Sequence, residues 1–347
     1  MELQQSSLSS RNVLVPVVSV IFALLAGSVF ILIVGENPLY AYQVLFTESF
    51  GSVRGIATTL QRATPLIFTG LAVAFAFRCG LFNIGAEGQL YVGAMAAAIV
   101  GVSFPGLPRI IHLPLAVGAG MAAGAVWAAV PGILKAKLGV HEVINTIMMN
   151  FLAFYLTDFL VTGPFHGDRW APETNRVAES ATFERLFLPT RLNGGIILAL
   201  VIIAIVYIIL WKTRTGYEIR AVGFNPDAAE YGGISVSRSM ILTFVISGAI
   251  ASLAGVEQIL GVHGRFIQRF SPDLGFIGIA VALLGKNHPV GVFFAAVLFG
   301  ALRTGGAAMD RLTDVPREVV VIIQAIIIML VAADELTRRL VKRRRKD

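Results

Sequence analysis

"GLFNIGAEGQLYVGAMAAAIV" runs from Gly80 to Val100. From Leu90 onward it reads as an apolar helix, yet its first turns hold Asn83, Glu87 and Gln89 among glycines. The i, i+4 spacing of Asn83, Glu87 and Tyr91 predicts that all three share one helix face. With a helix taken from residue 81, Glu87 is expected about 10 Å from its start at 1.5 Å per residue. That depth lies in hydrocarbon, where a carboxylate costs several kcal/mol unless it is paired or solvated. The first reading of Glu87 is a structural hydrogen-bonding group that ties a broken helix start to a neighbour. Contact with a solute and a proton relay are the alternatives.

Composition sets the frame for that stretch. Of 347 residues, 56% are hydrophobic and 14% charged, and mean hydropathy is +0.77. Soluble domains carry about 25% charged residues. Apolar runs recur from end to end without the alternation of barrel strands, so the chain is expected to be an all-α polytopic membrane protein in one domain, residues 1–347. Cys79 is the single cysteine, which excludes an internal disulfide and a Cys-based metal site. The formal charge is +7, and seven basic residues fall between Arg338 and Lys346. A basic run directly after an apolar segment reads as a topogenic, lipid-facing tail and not as a nucleic-acid surface.

Ten apolar segments are expected as helices: 13–34, 57–77, 81–103, 112–134, 143–162, 195–211, 240–262, 275–285, 289–307 and 319–333. The first reads as an uncleaved span, being too long for a signal h-region. The segment 275–285 is too short for a full bilayer and reads as a half-helix or re-entrant element. Lys and Arg place the short N-terminus 1–12 and the tail 334–347 in the cytoplasm, with Gly163–Gly194 outside and Lys212–Arg238 inside. Gly120, Gly124 and Ala128 repeat every four residues, a spacing that lets helix backbones approach closely. The stretches 57–162 and 240–333 each hold several spans entered from opposite sides, the pattern of an inverted repeat.

No enzymatic constellation is present. "LLGKN" at Leu283–Asn287 lacks the glycine and the Ser/Thr of a phosphate loop. The five histidines are scattered without helical pairing, so no metal ligand set is expected, and no cofactor is expected. The candidates for a solute pathway are Asn83, Glu87, Gln89, Asn150, Glu257 and Gln258. Asn145 and Asn150 do not share a face, so at most one lines a path while the other packs. Asp158 is read as a capping or snorkelling group.

In the polar loop, Asn225 is a helix cap, Pro226 suits the first helical position and Asp227 favours the dipole. Ala228 to Tyr231 form one or two turns, and Gly232-Gly233 stop them. "GLFNIGAEGQLYVGAMAAA", "HEVINTIMMN", "RAVGFNPDAAEYGGISVSR" and "GFIGIAVALLGKNHPVGVFFAAVLFGAL" together resemble the permease subunits of bacterial ABC importers. The resemblance is to the branched-chain amino acid/ribose-type family, in its nucleoside and simple-sugar branch. It runs from about residue 55 to 333. His141 departs from the pattern, where Asn is expected before "EVI".

The resemblance implies a passive channel subunit that pairs with a second permease, identical or homologous. Cytoplasmic ABC ATPases would drive it, and an extracellular or periplasmic solute-binding protein would feed it. It also makes Gly223, Asn225, Pro226, Asp227, Ala228, Ala229, Gly232 and Gly233 a coupling helix on the ATPase, with both alanines set into its groove. An ion-gradient-driven transporter using Glu87 and Glu257, and a non-transporting membrane scaffold, are the competing readings.

Overall fold

The computed structural model describes residues 10–168 and 170–344, and omits the side chains of 10–16, 332 and 334–344. Most of the N-terminal segment 1–12 and the basic side chains of the tail 334–347 thus lie outside the described residues.

Thirteen α-helices make up the described chain, and β pairing there is limited to two isolated bridges. In order they are α1 Ser10–Val34, α2 Pro38–Phe50, α3 Val53–Arg78, α4 Ala86–Ser103, α5 Arg109–Leu138, α6 Glu142–Thr162, α7 Gly195–Lys212, α8 Arg214–Phe224, α9 Pro226–Tyr231, α10 Val236–Glu257, α11 Leu274–Leu284, α12 Pro289–Leu312 and α13 Glu318–Arg344. Each of the ten expected apolar segments is a helix. Seven of them (α1, α3, α5, α6, α7, α12, and α10 with its extension to His263) are long and apolar enough to cross a bilayer. α11, at 11 residues, spans about 16 Å at 1.5 Å per residue, half a hydrocarbon core.

Two departures from the expected pattern matter. First, α4 starts at Ala86, not at 81. α3 is closed by a Schellman arrangement in which Gly80 takes φ +74, its N–H bonds Phe77 O at 3.1 Å and Leu81 N–H bonds Ala76 O at 3.1 Å. The chain therefore cannot run on as helix. Second, α2 and α8 are helices outside the apolar segments that the sequence reading does not anticipate, whereas the short helix α9 stands where it is expected. α2 begins on an Asn-Pro signal: Asn37 Oδ1 accepts from Leu39 N at 2.9 Å, and Pro38 takes the first position.

The chain forms two compact units, Met1–Thr59 with Leu298–Asp347, and Leu60–Val297. These do not coincide with the halves 57–162 and 240–333. In the first unit α1 lies along α13. Ser49 Oγ donates to Ala301 O at 2.8 Å, and Thr59 Oγ1 donates to Ser49 O at 3.1 Å.

In the second unit, α4, α5 and α10 form the tightest packing. Small residues make it so. A Cβ at Gly124 would lie 2.6 Å from Gly248 O, and one at Gly120 would lie 2.9 Å from Gly93 O. The repeat Gly120, Gly124, Ala128 faces Gly93, Gly248 and Ser252, as its spacing predicts.

The long loop 163–194 is stitched to the chain after α10. Thr174 N bonds Phe266 O at 2.9 Å, Val177 N bonds Gly264 O at 3.0 Å, Gln268 N bonds Pro172 O at 3.0 Å and Phe183 N bonds Leu260 O at 2.9 Å. A buried Arg265–Glu173 ion pair lies alongside. Beyond it, Leu186 N bonds Leu192 O at 2.8 Å and closes a small hairpin.

Gly124→Ala puts a methyl group against an immovable carbonyl and is expected to cost about 1–3 kcal/mol, read as a lowered melting temperature in detergent. Gly118, on the same helix, has nothing within 4 Å of an added Cβ, so Gly118→Ala should melt with the parent. Equal effects at both positions would refute backbone contact as the role of the repeat.

Candidate functional site

Between Gly80 and Gly85 the backbone is not helical and runs back into the helix bundle. Asn83 Nδ2 donates to Ser247 Oγ on α10 at 2.8 Å, and Ser247 Oγ donates to Ala72 O on α3 at 2.7 Å. Ala72 lies about 9 Å inside the end of α3 at 1.5 Å per residue. Irregular backbone at that depth must find its hydrogen bonds within protein.

It does so through the polar residues that the sequence singles out. Asn83 Oδ1 accepts from Gly85 N at 3.1 Å. Asn83 and Gln89 pair amide to amide, at 2.9 and 3.0 Å. Asn150, on α6, serves two backbone groups: its Oδ1 accepts from Gly88 N at 2.8 Å and its Nδ2 donates to Ile84 O at 3.0 Å. Glu87 accepts from Gly275 N at the start of α11. A carboxylate there complements the positive end of the half-helix. Exposure of 0–2% for Asn83, Glu87, Gln89 and Asn150 shows that these side chains face protein in this conformation.

The expected shared face of Asn83, Glu87 and Tyr91 is therefore corrected. Asn83 precedes the helix and turns to Gln89 and Ser247. Glu87 and Tyr91, both on α4, together hold the entry to α11, since Tyr91 OH accepts from Ser271 N at 3.1 Å. The expected depth of Glu87 along its helix is corrected too, because it lies in the first turn of α4. Gly275 fits against that turn without room for a side chain: a Cβ would fall 2.6 Å from Glu87 Cα. Asn145 packs elsewhere, with Nδ2 at 3.4 Å from Pro131 O. Asp158 pairs with Arg269 at 2.9 Å.

Glu257 and Gln258 belong to a second buried group. Glu257 accepts from Asn193 Nδ2 at 2.8 Å and from Gln258 Nε2 at 2.7 Å. Asn193 Oδ1 accepts from Gly195 N at 2.8 Å and so caps the entry to α7. Asn193 escapes notice in the sequence because it sits in a polar loop, where an amide is unexceptional. The helix changes to a π-helical turn over Gln258–His263, right after Glu257. Such turns recur at functional sites.

At the other end of α10 stand α8 and α9. Thr213 Oγ1 accepts from Gly216 N at 3.1 Å and caps α8. Asn225 Oδ1 accepts from Ala228 N at 3.1 Å and caps α9, with Pro226 first in the helix. Gly233 takes φ +82, which a β-branched residue tolerates poorly. Gly223 is needed for a different reason: its Cα faces the carbonyl of Arg78 with no space for a side chain. Ala228 is exposed, but Ala229 is buried within the chain itself, because α9 lies on α8 and α10. Ala229 is therefore not available to a partner's groove, and Ala228 is the exposed one of the two alanines. Tyr231 and Phe224, at 98% and 88% exposure, are surface features that sequence reasoning missed. Nearby, Arg78 Nε donates to Asn287 O at 2.8 Å and its guanidinium lies 5.1 Å from the Trp211 ring centroid. Burial, then the Arg78 charge, holds His288 below the usual imidazole range.

These features define a polytopic helical membrane protein with broken, internally hydrogen-bonded helices and a capped helix pair at one end. The family model for the permease component of branched-chain amino acid transport systems matches residues 55–332. The chain belongs to that family and is the transmembrane permease of an ABC importer. It is 45% identical to the guanosine ABC transporter permease protein NupP of Bacillus subtilis (strain 168), over 93% of each chain. It is 41% identical to the nucleoside ABC transporter permease protein NupB of Lactococcus lactis subsp. cremoris (strain MG1363), over 93% of this chain and 91% of that one. A glucose ABC transporter permease protein of Haloferax volcanii is 37% identical over 93% of this chain and 88% of its own. No solved structure matches the chain.

Glu87→Gln keeps an acceptor for Gly275 N and should leave melting temperature and uptake near the parent. Glu87→Leu strands a buried N–H, expected to cost about 1–3 kcal/mol, and should lower both. A Gln variant that melts normally but transports nothing would point to proton chemistry at Glu87 instead.

Proposed function

We propose that this chain is one permease half of an ATP-driven importer of nucleosides, set in the bacterial plasma membrane as one multi-pass domain with both termini in the cytoplasm. The observation that carries the reading is 41–45% identity over 93% of the chain to permeases named for nucleosides and guanosine. The 37% identity to a glucose permease supports a simple sugar as the second reading. Family membership sets the ion-gradient transporter aside. A second permease pairs with this one, cytoplasmic ATPases hydrolyse ATP, and an external binding protein delivers the solute.

The segment Asn225 to Gly233 is proposed as the ATPase contact. A short helix with a fixed cap and a left-handed stop transmits rigid-body motion, which a loose loop cannot. The buried residues Asn83, Glu87, Gln89, Asn150, Glu257 and Gln258 act on the pathway by fixing the backbone that borders it. Uptake of a labelled nucleoside and sugar panel in a deletion strain tests the substrate class. Uptake of glucose without any nucleoside would reject the first reading.

Vesicles holding this chain alone should accumulate nothing, and uptake driven by a proton or sodium gradient alone would refute the ATP-driven scheme. Ala228→Arg adds bulk and charge on the exposed side of α9. It should insert normally, lose ATPase co-purification and lose uptake. Gly233→Val should behave similarly through its φ. Undiminished co-purification in both would place coupling elsewhere, with Lys135–Glu142 the next segment to test. Single cysteines in a Cys79→Ala background test orientation: an impermeant reagent should label position 176 from outside and should not label position 214.

A further inference from the structure

One group of side chains lies beside the first buried network and shares only Tyr91 with it. At the end of α10 away from α8 and α9, the rings of Tyr91, Phe154, His263, Phe266 and Phe270 form a continuous cluster. Tyr91 lies 5.0 Å from Phe154 and 4.9 Å from Phe270 between centroids, Phe266 lies 5.5 Å from Phe270, and His263 lies 6.1 Å from Phe270. Tyr91 and Phe266 are buried and form the floor. Phe154, His263 and Phe270 are half-buried and form the open side. The Arg269 guanidinium covers Phe154, 4.5 Å from its centroid, and is held there by Asp158 at 2.9 Å.

The backbone around the cluster is irregular in three places. The π-helical turn Gln258–His263 leads into it. Arg269 at φ 55 and Asp273 at φ 61 bracket Phe270 in left-handed conformations that residues with a Cβ rarely adopt. Such conformations concentrate at ligand clamps and switch regions. A closed apolar core needs none of them, since rings pack well from regular helices.

We propose that Phe154, His263 and Phe270 form a stacking subsite for the base of a nucleoside at the outer mouth of the permease. The inference rests on the nucleoside reading above. Aromatic side chains stack on any base, because every base has a π face. Arg269 is a flat cation lying where a flat ring fits. Its pair with Asp158 leaves Arg269 half exposed, and exposed ion pairs hold weakly, so a base displaces it from Phe154 at little cost. The floor supplied by Tyr91 connects the subsite to α11 through Ser271, so an occupied subsite bears directly on the entry to the half-helix.

The test uses the assembled importer in proteoliposomes, with guanosine and D-glucose as probes. Phe270→Leu and Phe154→Leu keep apolar bulk and remove the aromatic face. Guanosine uptake at saturating binding protein should fall about tenfold in each, with melting temperature and ATPase assembly unchanged, while Phe270→Tyr stays near the parent. Saturation-transfer NMR on the assembled importer should show transfer to the guanosine base proton H8, lost in the Leu variants. Unchanged guanosine uptake in the Leu variants, equal loss in Phe270→Leu and Phe270→Tyr, or a fall in melting temperature that accounts for the loss would overturn the subsite alone. A parent importer that carries glucose and not guanosine rejects the nucleoside reading, and the subsite with it.

Discussion

Backbone that leaves the helix inside a bilayer must have every N–H and C=O answered by protein, and the stretch from Gly80 to Gly88 is organised around that requirement. Each polar side chain that looks out of place in an apolar helix answers a specific group. Asn83 serves Gly85, Asn150 serves Gly88 and Ile84, and Glu87 serves Gly275. An unsatisfied group in hydrocarbon costs several kcal/mol, so replacing these residues by leucine would not make a better membrane helix. It would leave the broken helix start with backbone groups that nothing answers. The Glu257–Asn193 pair does the same work at the entry to α7.

Close backbone approach is the companion of that chemistry. Ser247 can reach Asn83 because α10 presses against α4 and α5 through glycines, with Gly248 one residue further on. A bulkier contact would widen the gap and break the side-chain bridge as well. Packing and polar satisfaction therefore fail together, which explains why the polar residues sit beside the small ones in the chain.

Much of the architecture is legible in the sequence because apolar length and capping chemistry are local. The ten apolar segments, the half-length α11 and the Asn-Pro start of α9 all follow from residues close together. The partners of the polar groups are not legible. Gly275 lies 188 residues from Glu87, and Ser247 lies 164 from Asn83, and no periodicity carries that information. The i, i+4 argument for Asn83 and Glu87 failed because α4 begins only at Ala86. Asn83 lies in the non-helical stretch before it and turns to Gln89 and Ser247, partners that no local pattern announces. Ala229 was misplaced for a similar reason: its burial depends on how α9 lies across α8 and α10.

The ladder between 172–183 and 260–268 also limits how the chain can vary in length. Each rung fixes a residue of the loop to one residue after α10. An insertion between Pro172 and Phe183 shifts every later rung and moves Glu173 or its neighbours off Arg265, so this stretch has the rigidity of a strand without being one. The hairpin tip between Leu186 and Leu192 carries no such register. Length polymorphism, epitope tags and added recognition elements have room there, at a surface that faces away from the helix pair α8 and α9.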